Sequence, residues 1–152
     1  MKIITKSGSE TQKAGEDLAL HLRGVSVIAL TGELGTGKTT FVQGLARGLG
    51  IKQRIISPTF ILMRQYELKV QNSKVKTTTQ KSKLKYLYHI DLYRLEGDLS
   101  QEIKNLGMDD LWGKPENIVV IEWADKIREL LPDNTTWIKF EVLDDDTHRI
   151  IY

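Results

Sequence analysis

A glycine-rich stretch, TGELGTGKTTF (Thr31–Phe41), constrains the fold of this chain more than any other feature. It follows directly on an apolar, β-rich run, VSVIAL (Val25–Leu30), and it leads into a segment whose apolar residues recur at helical spacing. The run before it is typical of a strand that is buried on both faces of a sheet. The sequence therefore predicts a strand, a flexible turn and an amphipathic helix in direct succession.

The positions Gly32-x-x-x-x-Gly37-Lys38-Thr39 in that stretch fit the phosphate-binding loop pattern. The glycines, with Gly35 between them, allow backbone N–H groups to turn inward around phosphate oxygens. The helix that starts near Lys38 adds the positive end of its dipole. The Lys38 ammonium, which we expect to be exposed, can reach the β and γ phosphates, and the Thr39 hydroxyl can bind Mg²⁺. A glycine-rich turn with an incidental lysine is the alternative, but the strand–turn–helix context favours a nucleoside triphosphate site.

Magnesium-dependent hydrolysis also needs a carboxylate near the threonine, which binds the metal or orients a water. Glu122 ends the apolar run NIVVIE, and an acid directly behind a buried strand needs a reason. Asp91 lies in HIDLYR, on the same strand face as His89. Spacing alone allows Asp91 to be a solvated carboxylate paired with Arg94, and it favours His89 as an orienting hydrogen-bond partner over a metal ligand. Trp123 is either a core residue or a wall that shields the site from water.

The segment SPTF (Ser57–Phe60) has two interpretations. Pro58 biases the residue before it toward extended backbone, which favours a strand that starts here and runs to about residue 68. A second extended segment, residues 84–92, would then be the antiparallel partner arm of a long hairpin. Alternatively, the serine and threonine hydroxyls belong to a nucleotide-sensing switch segment, which P-loop proteins place shortly after the loop and its helix.

The remaining pattern mixes helices with buried strands, and 152 residues suffice for one domain, residues 1–152. We expect an α/β fold, a P-loop NTPase-like three-layer sandwich with a mixed parallel and antiparallel sheet and helices on both faces. The further predicted elements are an edge strand at Lys2–Lys6, a helix capped by Ser7 that runs to about Arg23, a short helix capped by Asp98 or Ser100 that ends near Gly107, a helix over ADKIRELL (124–131) closed by Pro132, and strands over TTWIKFEVL (135–143) and HRIIY (148–152).

Composition excludes several classes of site. The chain has no cysteine, so disulfides, thiolate metal sites and cysteine nucleophiles are ruled out. No apolar run approaches 18 residues and no secretory leader is recognisable, so we expect a cytoplasmic protein that does not enter a membrane.

Five blocks of the sequence, taken in order, resemble the TsaE-type ATPases (formerly YjeE/YdiB) of bacterial tRNA threonylcarbamoyladenosine biosynthesis. The blocks are GELGTGKTTF, SPTF, YHIDLYRLE, LGMDDLW and IEW, and they cover most of residues 10–125. The resemblance implies slow ATP hydrolysis, with ATP and Mg²⁺ as cofactors, in complex with the TsaB–TsaD pair. That pair makes the N6-threonylcarbamoyl modification on adenosine 37 of tRNAs that read ANN codons. The resemblance further implies that the protein supports the transferase between turnovers and reaches tRNA only through the complex.

The resemblance also implies roles for particular residues. The family's Walker threonine falls on Thr39, its aspartate on Asp91, and its strand-end glutamate and tryptophan on Glu122 and Trp123. An arginine near the end of the chain and the polar start of the first helix are implied at the nucleotide. The candidates for ATP binding are Ser9, Thr11, Leu34, Gly35, Thr36, Gly37, Lys38, Thr39, Thr40 and Arg149; those for metal binding are Thr39, Glu122 and Asp91; those for catalysis are Glu122, Asp91 and Lys38.

The hairpin departs from the family by an insertion at about residues 68–85. From Leu68 to Ile90 the chain has six lysines (69, 74, 76, 81, 83 and 85) and no acid. A polar tip without apolar alternation is expected to be exposed and unnecessary for ATP binding. It either steers tRNA, docks on an acidic partner surface or is a tolerated insertion, because long surface loops cost little to close.

Two other functions are compatible with the sequence. A P-loop kinase for a small acceptor would need a basic lid, for which Arg64 and Arg94 are the candidates. An RNA-binding module would use the lysine-rich hairpin through charge alone, since the tip lacks interleaved aromatic residues for base stacking.

Overall fold

One seven-stranded sheet organises the part of the chain that the structure describes. The computed structural model describes residues 1–22, 26–68 and 84–152. The strands are β1 (Lys2–Thr5), β2 (Val27–Thr31), β3 (Met63–Glu67), β4 (Tyr86–Asp91), β5 (Asn117–Glu122), β6 (Thr136–Asp144) and β7 (Thr147–Ile151). Their order across the sheet is β1-β7-β6-β2-β5-β4-β3.

The four central strands β6, β2, β5 and β4 run parallel, and antiparallel strands complete both edges. The register brings three strand ends level, because Glu122 in β5 is the Cα partner of both Leu30 in β2 and Asp91 in β4. Ligands of open α/β sheets bind outside the carboxyl ends of the strands. This edge of the sheet is therefore the place where functional side chains are expected to meet.

Helices cover both faces of the sheet, which gives three layers. Along β2, Ile28 and Leu30 belong to one buried apolar cluster, while Val27 and Ala29 belong to a second cluster on the opposite face. A strand buried on both faces shows this continuous apolar pattern. The first cluster packs against α1 (Gly8–His21) and α2 (Lys38–Gly48), and the second against α3 (Ser100–Asn105) and a 3₁₀ helix (Ala124–Leu130).

Glycines bring α1 and α2 into close contact. A methyl group at Gly44 would lie 1.9 Å from the backbone oxygen of Gln12, and one at Gly15 would lie 2.2 Å from that of Phe41. No side chain can occupy such a space, so the two helices pack at this distance only with glycine at the crossing. Since α2 begins at the glycine-rich loop, this contact also fixes the position of the loop against α1.

Most of the predicted elements are confirmed, as is the predicted fold class. The strand before the loop, the helix after it and the antiparallel arms of the hairpin all form. Ser7 caps α1 by accepting a hydrogen bond from the Glu10 N–H at 3.2 Å. Asp98, rather than Ser100, accepts at the start of α3, because its Oδ1 receives the Ser100 N–H at 3.0 Å.

The prediction that a strand starts at SPTF is wrong. The carbonyl of Pro58 accepts a hydrogen bond from the Ile61 N–H at 3.0 Å, which closes a turn, and β3 begins only at Met63. Between them Leu62 has a positive φ of 66°, which ends the turn and is incompatible with a continuous strand.

The helix predicted over ADKIRELL forms, at Ala124–Leu130, and it is a 3₁₀ helix. Trp123 before it has left-handed backbone angles (φ 59°, ψ 36°), and no side chain caps the first turn. Ile127 departs from helical angles within it (φ −129°), which interrupts the i→i−4 hydrogen bonds of an α-helix.

The lysine-rich tip lies outside the described residues, and so does most of the insertion predicted at about residues 68–85. The two arms are joined next to it, where the Leu68 N–H donates to the Lys85 carbonyl at 2.8 Å. The assignment of residues 1–152 to one domain stays a prediction. Over the described ranges, no helix has the length and apolar character required to cross a membrane.

We predict that Gly44→Ala lowers the free energy of unfolding by about 2–3 kcal/mol, because the added methyl group forces α1 and α2 apart. Urea denaturation measures the effect. Gly8→Ala is the matched control, since a methyl group there meets only the Thr40 Cγ2 at 3.7 Å. Equal stability of the Gly44 and Gly8 variants would contradict the close helix contact.

Candidate nucleotide site

The glycine-rich loop lies between β2 and α2, at the carboxyl edge of the sheet. Gly37, with a φ of 95°, precedes the first residue of α2, and Gly32 has a φ of 133°. A methyl group at Gly32 would lie 2.4 Å from the Phe140 carbonyl oxygen. The backbone angle therefore favours glycine at both positions, and at Gly32 the lack of space requires it as well. The first N–H groups of α2 have no partner within the helix, so they are free to bind an anion.

Lys38 is buried, contrary to the exposure expected from the sequence, with 4% of its surface accessible. Its Nζ donates to the carbonyls of Gly32 at 2.6 Å and Glu33 at 2.8 Å. Burial lowers the pKa of Lys38 from 10.5, while the nearby carboxylates of Glu122 and Asp91 act in the opposite direction. The ammonium thus lies inside the loop and within the field of both acids.

Glu122 is the buried acid next to the loop, and 3% of its surface is accessible. Its Oε1 accepts hydrogen bonds from the Thr39 hydroxyl and from Nε2 of His89, both at 2.8 Å. Its Oε2 has no protein partner among the described residues. Two of the three predicted metal-binding residues, Thr39 and Glu122, are thus in direct contact, and one carboxylate oxygen is left for a ligand.

His89 is fully buried, as the predicted orienting role requires. A carboxylate only accepts hydrogen bonds, so the Nε2 that faces Glu122 carries the proton. Its Nδ1 has no partner within the described part of the chain, and the same holds for Nε of Arg64, which is opposite His89 in the β3–β4 ladder. Among the described residues, the His89 ring therefore forms a hydrogen bond only with Glu122.

Asp91 is also buried, but its partners differ from those of Glu122. Its Oδ2 accepts from the hydroxyls of Ser57 at 3.1 Å and Thr59 at 2.6 Å, and its Oδ1 accepts from the Tyr93 N–H at 2.9 Å. Asp91 thus connects the strand end to two surface segments, residues 56–62 and 92–95. Spacing alone also allowed Asp91 to be a solvated carboxylate paired with Arg94. That alternative is wrong, because Asp91 is buried and its described partners are residues 57, 59 and 93.

Trp123 lines the same site. Its ring lies 4.5 Å from the Nζ of Lys38 and 5.2 Å from the ring of Tyr93, measured to ring centroids. Lys126 contacts the segment that follows Asp91, because its Nζ donates to three backbone carbonyls between residues 92 and 95 at 2.7–3.0 Å. The ring and this lysine together hold the turn after Asp91 beside the loop.

The other predicted ATP-binding residues are distributed unequally around the loop. Thr11 is buried, with its Cγ2 against Gly37, and it bonds to the Thr5 hydroxyl at 2.9 Å. Leu34 is exposed within the loop, and Thr40 contacts Gly8. The other members of the predicted set in this region are Ser9, which is exposed at the start of α1, and Gly35, Thr36 and Gly37, which form the loop itself.

Arg149 is not brought to the loop. Its guanidinium forms an ion pair with Glu141 at 3.1 Å, across the β6–β7 ladder. Its neighbour His148 is on the other face of the sheet and contacts the loop instead, through a hydrogen bond between Nδ1 and the Thr36 carbonyl at 3.1 Å. Sequence reasoning missed His148, and the only available signal was the period-two alternation along HRIIY. A role for Arg149 at the nucleotide stays a prediction.

The donor set fits magnesium better than a metal that needs a full protein cage. Within residues 1–22, 26–68 and 84–152, no group of three or more His, Asp or Glu side chains could hold a metal ion. Mg²⁺ is usually bound by one or two protein ligands together with substrate phosphates and waters. Thr39 and Glu122 supply two such oxygen ligands.

A groove of about 990 Å³ lies elsewhere, between α1, α2 and residues 50–55. Four of its polar side chains bond to one another: Arg47 donates to Gln12 at 2.6 Å and to Glu16 at 2.6 Å, and Gln12 donates to Gln43 at 3.1 Å. We place the candidate site at the loop instead, because the loop fits the phosphate-binding pattern and its threonine bonds to a buried carboxylate.

Comparison with known proteins shows the family of the chain. The family described as "Threonylcarbamoyl adenosine biosynthesis protein TsaE" matches residues 5–151. The chain belongs to the TsaE family. A tRNA threonylcarbamoyladenosine biosynthesis protein TsaE from Treponema pallidum is 33% identical over 99% of this chain and 98% of its own length. The TsaE of Bacillus subtilis is 33% identical over 100% of this chain and 84% of its own length. The crystal structure of Bacillus subtilis YdiB superposes with a TM-score of 0.73 at 29% identity, covering 99% of this chain and 82% of that one.

We predict a measurable coupling between Thr59 and Asp91. In a double-mutant cycle with Thr59→Val and Asp91→Ala, the coupling energy should be about 1–2 kcal/mol. Each single variant loses the same hydrogen bond to a charged group, so the double variant is less destabilised than the sum of the two. Urea denaturation of the four proteins gives the value. Thr59→Val combined with Thr39→Val is the control, since Thr39 bonds to Glu122 and not to Asp91. Additive effects in both cycles would contradict the bond.

Proposed function

We propose that this TsaE-family chain is a Mg²⁺-dependent ATPase that supports threonylcarbamoyl modification of tRNA by the TsaB–TsaD complex. The observation that carries the proposal is the contact between the buried Glu122 carboxylate and the Thr39 hydroxyl at 2.8 Å, directly beside the loop. A phosphate loop holds a triphosphate, but a carboxylate fixed against its threonine is what hydrolysis requires in addition.

ATP binding would rest on the loop and on Lys38. The backbone N–H groups at the start of α2 and the Lys38 ammonium provide hydrogen-bond donors and positive charge around one small space. Phosphate oxygens would replace the carbonyls of Gly32 and Glu33, which Lys38 contacts in this structure. No base-selecting NKxD-type motif is present in the sequence, which mildly favours ATP over GTP.

Thr39 and Glu122 would hold the magnesium ion. When bound, Mg²⁺ neutralises the charge that develops on the β and γ phosphate oxygens. His89 and Thr39 hold Oε1 of Glu122, and Oε2, which has no partner among the described residues, would be available to the ion. Asp91 has both oxygens engaged by residues 57, 59 and 93, so its primary role would be to shape the surrounding segments. Trp123 and Tyr93 would limit the access of water from this side.

A surface beside the site supports the partnership with another protein. The partner patch consists of Ile56, Phe60, Ile61, Tyr93 and Arg94. All four apolar side chains are exposed, Phe60 by 81%, and the Arg94 guanidinium lies 4.1 Å above the Phe60 ring. Aromatic residues with arginine are typical of energetic centres of protein interfaces. The segments that form the patch contain no acid, so an apolar socket rimmed by carboxylates would complement it.

The same patch connects to the nucleotide site through Asp91. Ser57 and Thr59 in the first segment, and the backbone of Tyr93 in the second, all donate to this carboxylate. Asp91 is in turn the ladder neighbour of Glu122. A nucleotide that alters this region would thereby alter the partner patch, as in switch segments of P-loop proteins.

Neither alternative function has a specific observation in its favour. A kinase would use Arg64 and Arg94 over the phosphates, but Arg94 stacks on Phe60 and Arg64 is opposite His89 in the sheet. The RNA-binding alternative rests on lysines of which all but Lys85 lie outside the described residues.

We predict that Glu122→Gln retains ATP binding and lowers the rate of phosphate release by about 10²-fold or more, since it removes the charge that acts on the metal and the water. Lys38→Ala should instead lose ATP binding, which calorimetric titration with Mg-ATP distinguishes. Glu116→Gln, at the opposite end of β5, is the matched control. A Glu122→Gln protein that hydrolyses ATP at the wild-type rate would refute the role of Glu122.

We further predict that Phe60→Ala weakens binding to the TsaB–TsaD complex by about 10-fold or more, the loss expected for an aromatic residue at the centre of an interface. ATP binding by the isolated chain should not change, because the Phe60 side chain is 81% exposed and stacks on Arg94, outside the loop. Biolayer interferometry against the immobilised complex measures the first, and calorimetry the second. Leu20→Ala, an exposed leucine on α1, is the control. Unchanged binding by the Phe60 variant would exclude the patch as the docking surface.

A further inference from the structure

The phosphate loop is supported from outside by a residue of the last strand. Nδ1 of His148 in β7 lies 3.1 Å from the carbonyl oxygen of Thr36, although the two residues are 112 positions apart. A carbonyl only accepts hydrogen bonds, so Nδ1 carries the proton and donates. Thr36 is itself buried, and its hydroxyl bonds to the Glu33 carbonyl at 2.8 Å within the loop. The hydrogen bond from His148 thus reaches the loop from a strand that is distant in the sequence.

Strand geometry explains why His148 and not Arg149 reaches the loop. Successive side chains on a strand point to opposite faces of the sheet. Ile150 is buried in the cluster that packs against α1 and α2, so His148 shares that face. Arg149 points to the other face, where it pairs with Glu141. In the β1–β7 ladder His148 is opposite Thr5, whose hydroxyl bonds to Thr11.

The bond to Thr36 determines the direction of the next amide group. The carbonyl of Thr36 and the N–H of Gly37 belong to one peptide unit, and in a trans peptide they point in opposite directions. No cis peptide occurs in the described residues. If the carbonyl points out toward His148, the Gly37 N–H must point in toward the space enclosed by the loop. That N–H has no acceptor among the described residues.

We propose that His148 is a positioning residue of the phosphate site, which fixes the Thr36–Gly37 peptide so that its N–H faces the phosphate chain. The inference rests on the proposed function, since it assumes that the loop binds a nucleoside triphosphate. Gly37 needs this restraint because it has no side chain and a φ of 95°, so its flanking peptides rotate more freely than those of other residues. Thr11 supports the same glycine from the α1 side, with its Cγ2 3.4 Å from where a Cβ would lie.

The position of the hydrogen-bond donor makes the role testable by substitution. In asparagine, Nδ2 is separated from Cα by the same number of bonds as Nδ1 in histidine, so His148→Asn retains a donor at that place. Glutamine carries its amide one bond further out, and phenylalanine keeps the ring but has no donor. If His148 only fills space, the affinity for ATP should depend on the size of the side chain at this position. If His148 positions the peptide, the affinity should depend on whether a hydrogen-bond donor is retained at the place of Nδ1.

The experiment is calorimetric titration of the full chain with Mg-ATP. His148→Phe should bind ATP about 3- to 10-fold more weakly, the effect of one net hydrogen bond. His148→Asn should recover most of the wild-type affinity, and His148→Gln should not. His21→Phe is the matched control, because Nδ1 of His21 also contacts a backbone carbonyl, that of Asp17 at 2.7 Å, at the far end of α1. Its affinity for ATP should equal that of the wild type.

Competition by inorganic tripolyphosphate shows whether His148 affects binding of the phosphate chain or of the base and ribose. If His148 acts through the loop amide, His148→Phe should lower the affinities for tripolyphosphate and ATP by the same factor. A loss confined to ATP would mean that His148 contacts the base or ribose, and it would overturn the inference. Equal ATP affinity of His148→Phe and wild type would overturn it too, while leaving the proposed function intact. A wild-type chain that does not bind ATP would refute the proposed function and this inference together.

Discussion

A buried carboxylate, shared between two hydrogen bonds, holds the candidate site together. Oε1 of Glu122 receives the Thr39 hydroxyl and the His89 ring, so one atom joins the start of α2 to the ends of β4 and β5. A charge buried without such partners would be strongly destabilising. Since the three residues come from segments far apart in the sequence, the sheet must be in register before the carboxylate is satisfied. The magnesium ligands and the hydrolysis proposed here depend on that arrangement.

The two acids at this edge of the sheet have different tasks, although they are neighbours in the ladder. Glu122 bonds to the threonine of the loop, and one of its oxygens has no partner in the part of the chain that the structure describes. Asp91 has its oxygens bonded to residues of the two segments that form the partner patch. Glu122 would therefore act on the nucleotide. Asp91 would transmit a change at the nucleotide site to the partner patch. This division would give a physical route by which the proposed hydrolysis is coupled to a second protein.

Features that depend on short stretches of sequence could be predicted, and those that depend on distant contacts could not. The loop, its strand and its helix follow from one continuous stretch, residues 25–50, and Glu122 stands out as an acid behind a buried strand. The bond between Thr59 and Asp91 spans 32 positions and the bond between His148 and Thr36 spans 112, so no local pattern contains them. The burial of Lys38 was missed for the same reason, because it results from how the loop folds over its own lysine. The resemblance to the family implied Arg149 as a nucleotide-binding residue, but only the strand register shows which face of the sheet its side chain occupies.

We propose that the chain hydrolyses ATP to support a partner complex. The rate of free phosphate release from Mg-ATP by the purified chain, measured alone and after addition of the TsaB–TsaD complex, tests this proposal. We expect a slow rate for the chain alone, a clear increase with the complex, and free phosphate as the product. No increase with the complex, or phosphate transferred to a small molecule, would show that the proposal is wrong.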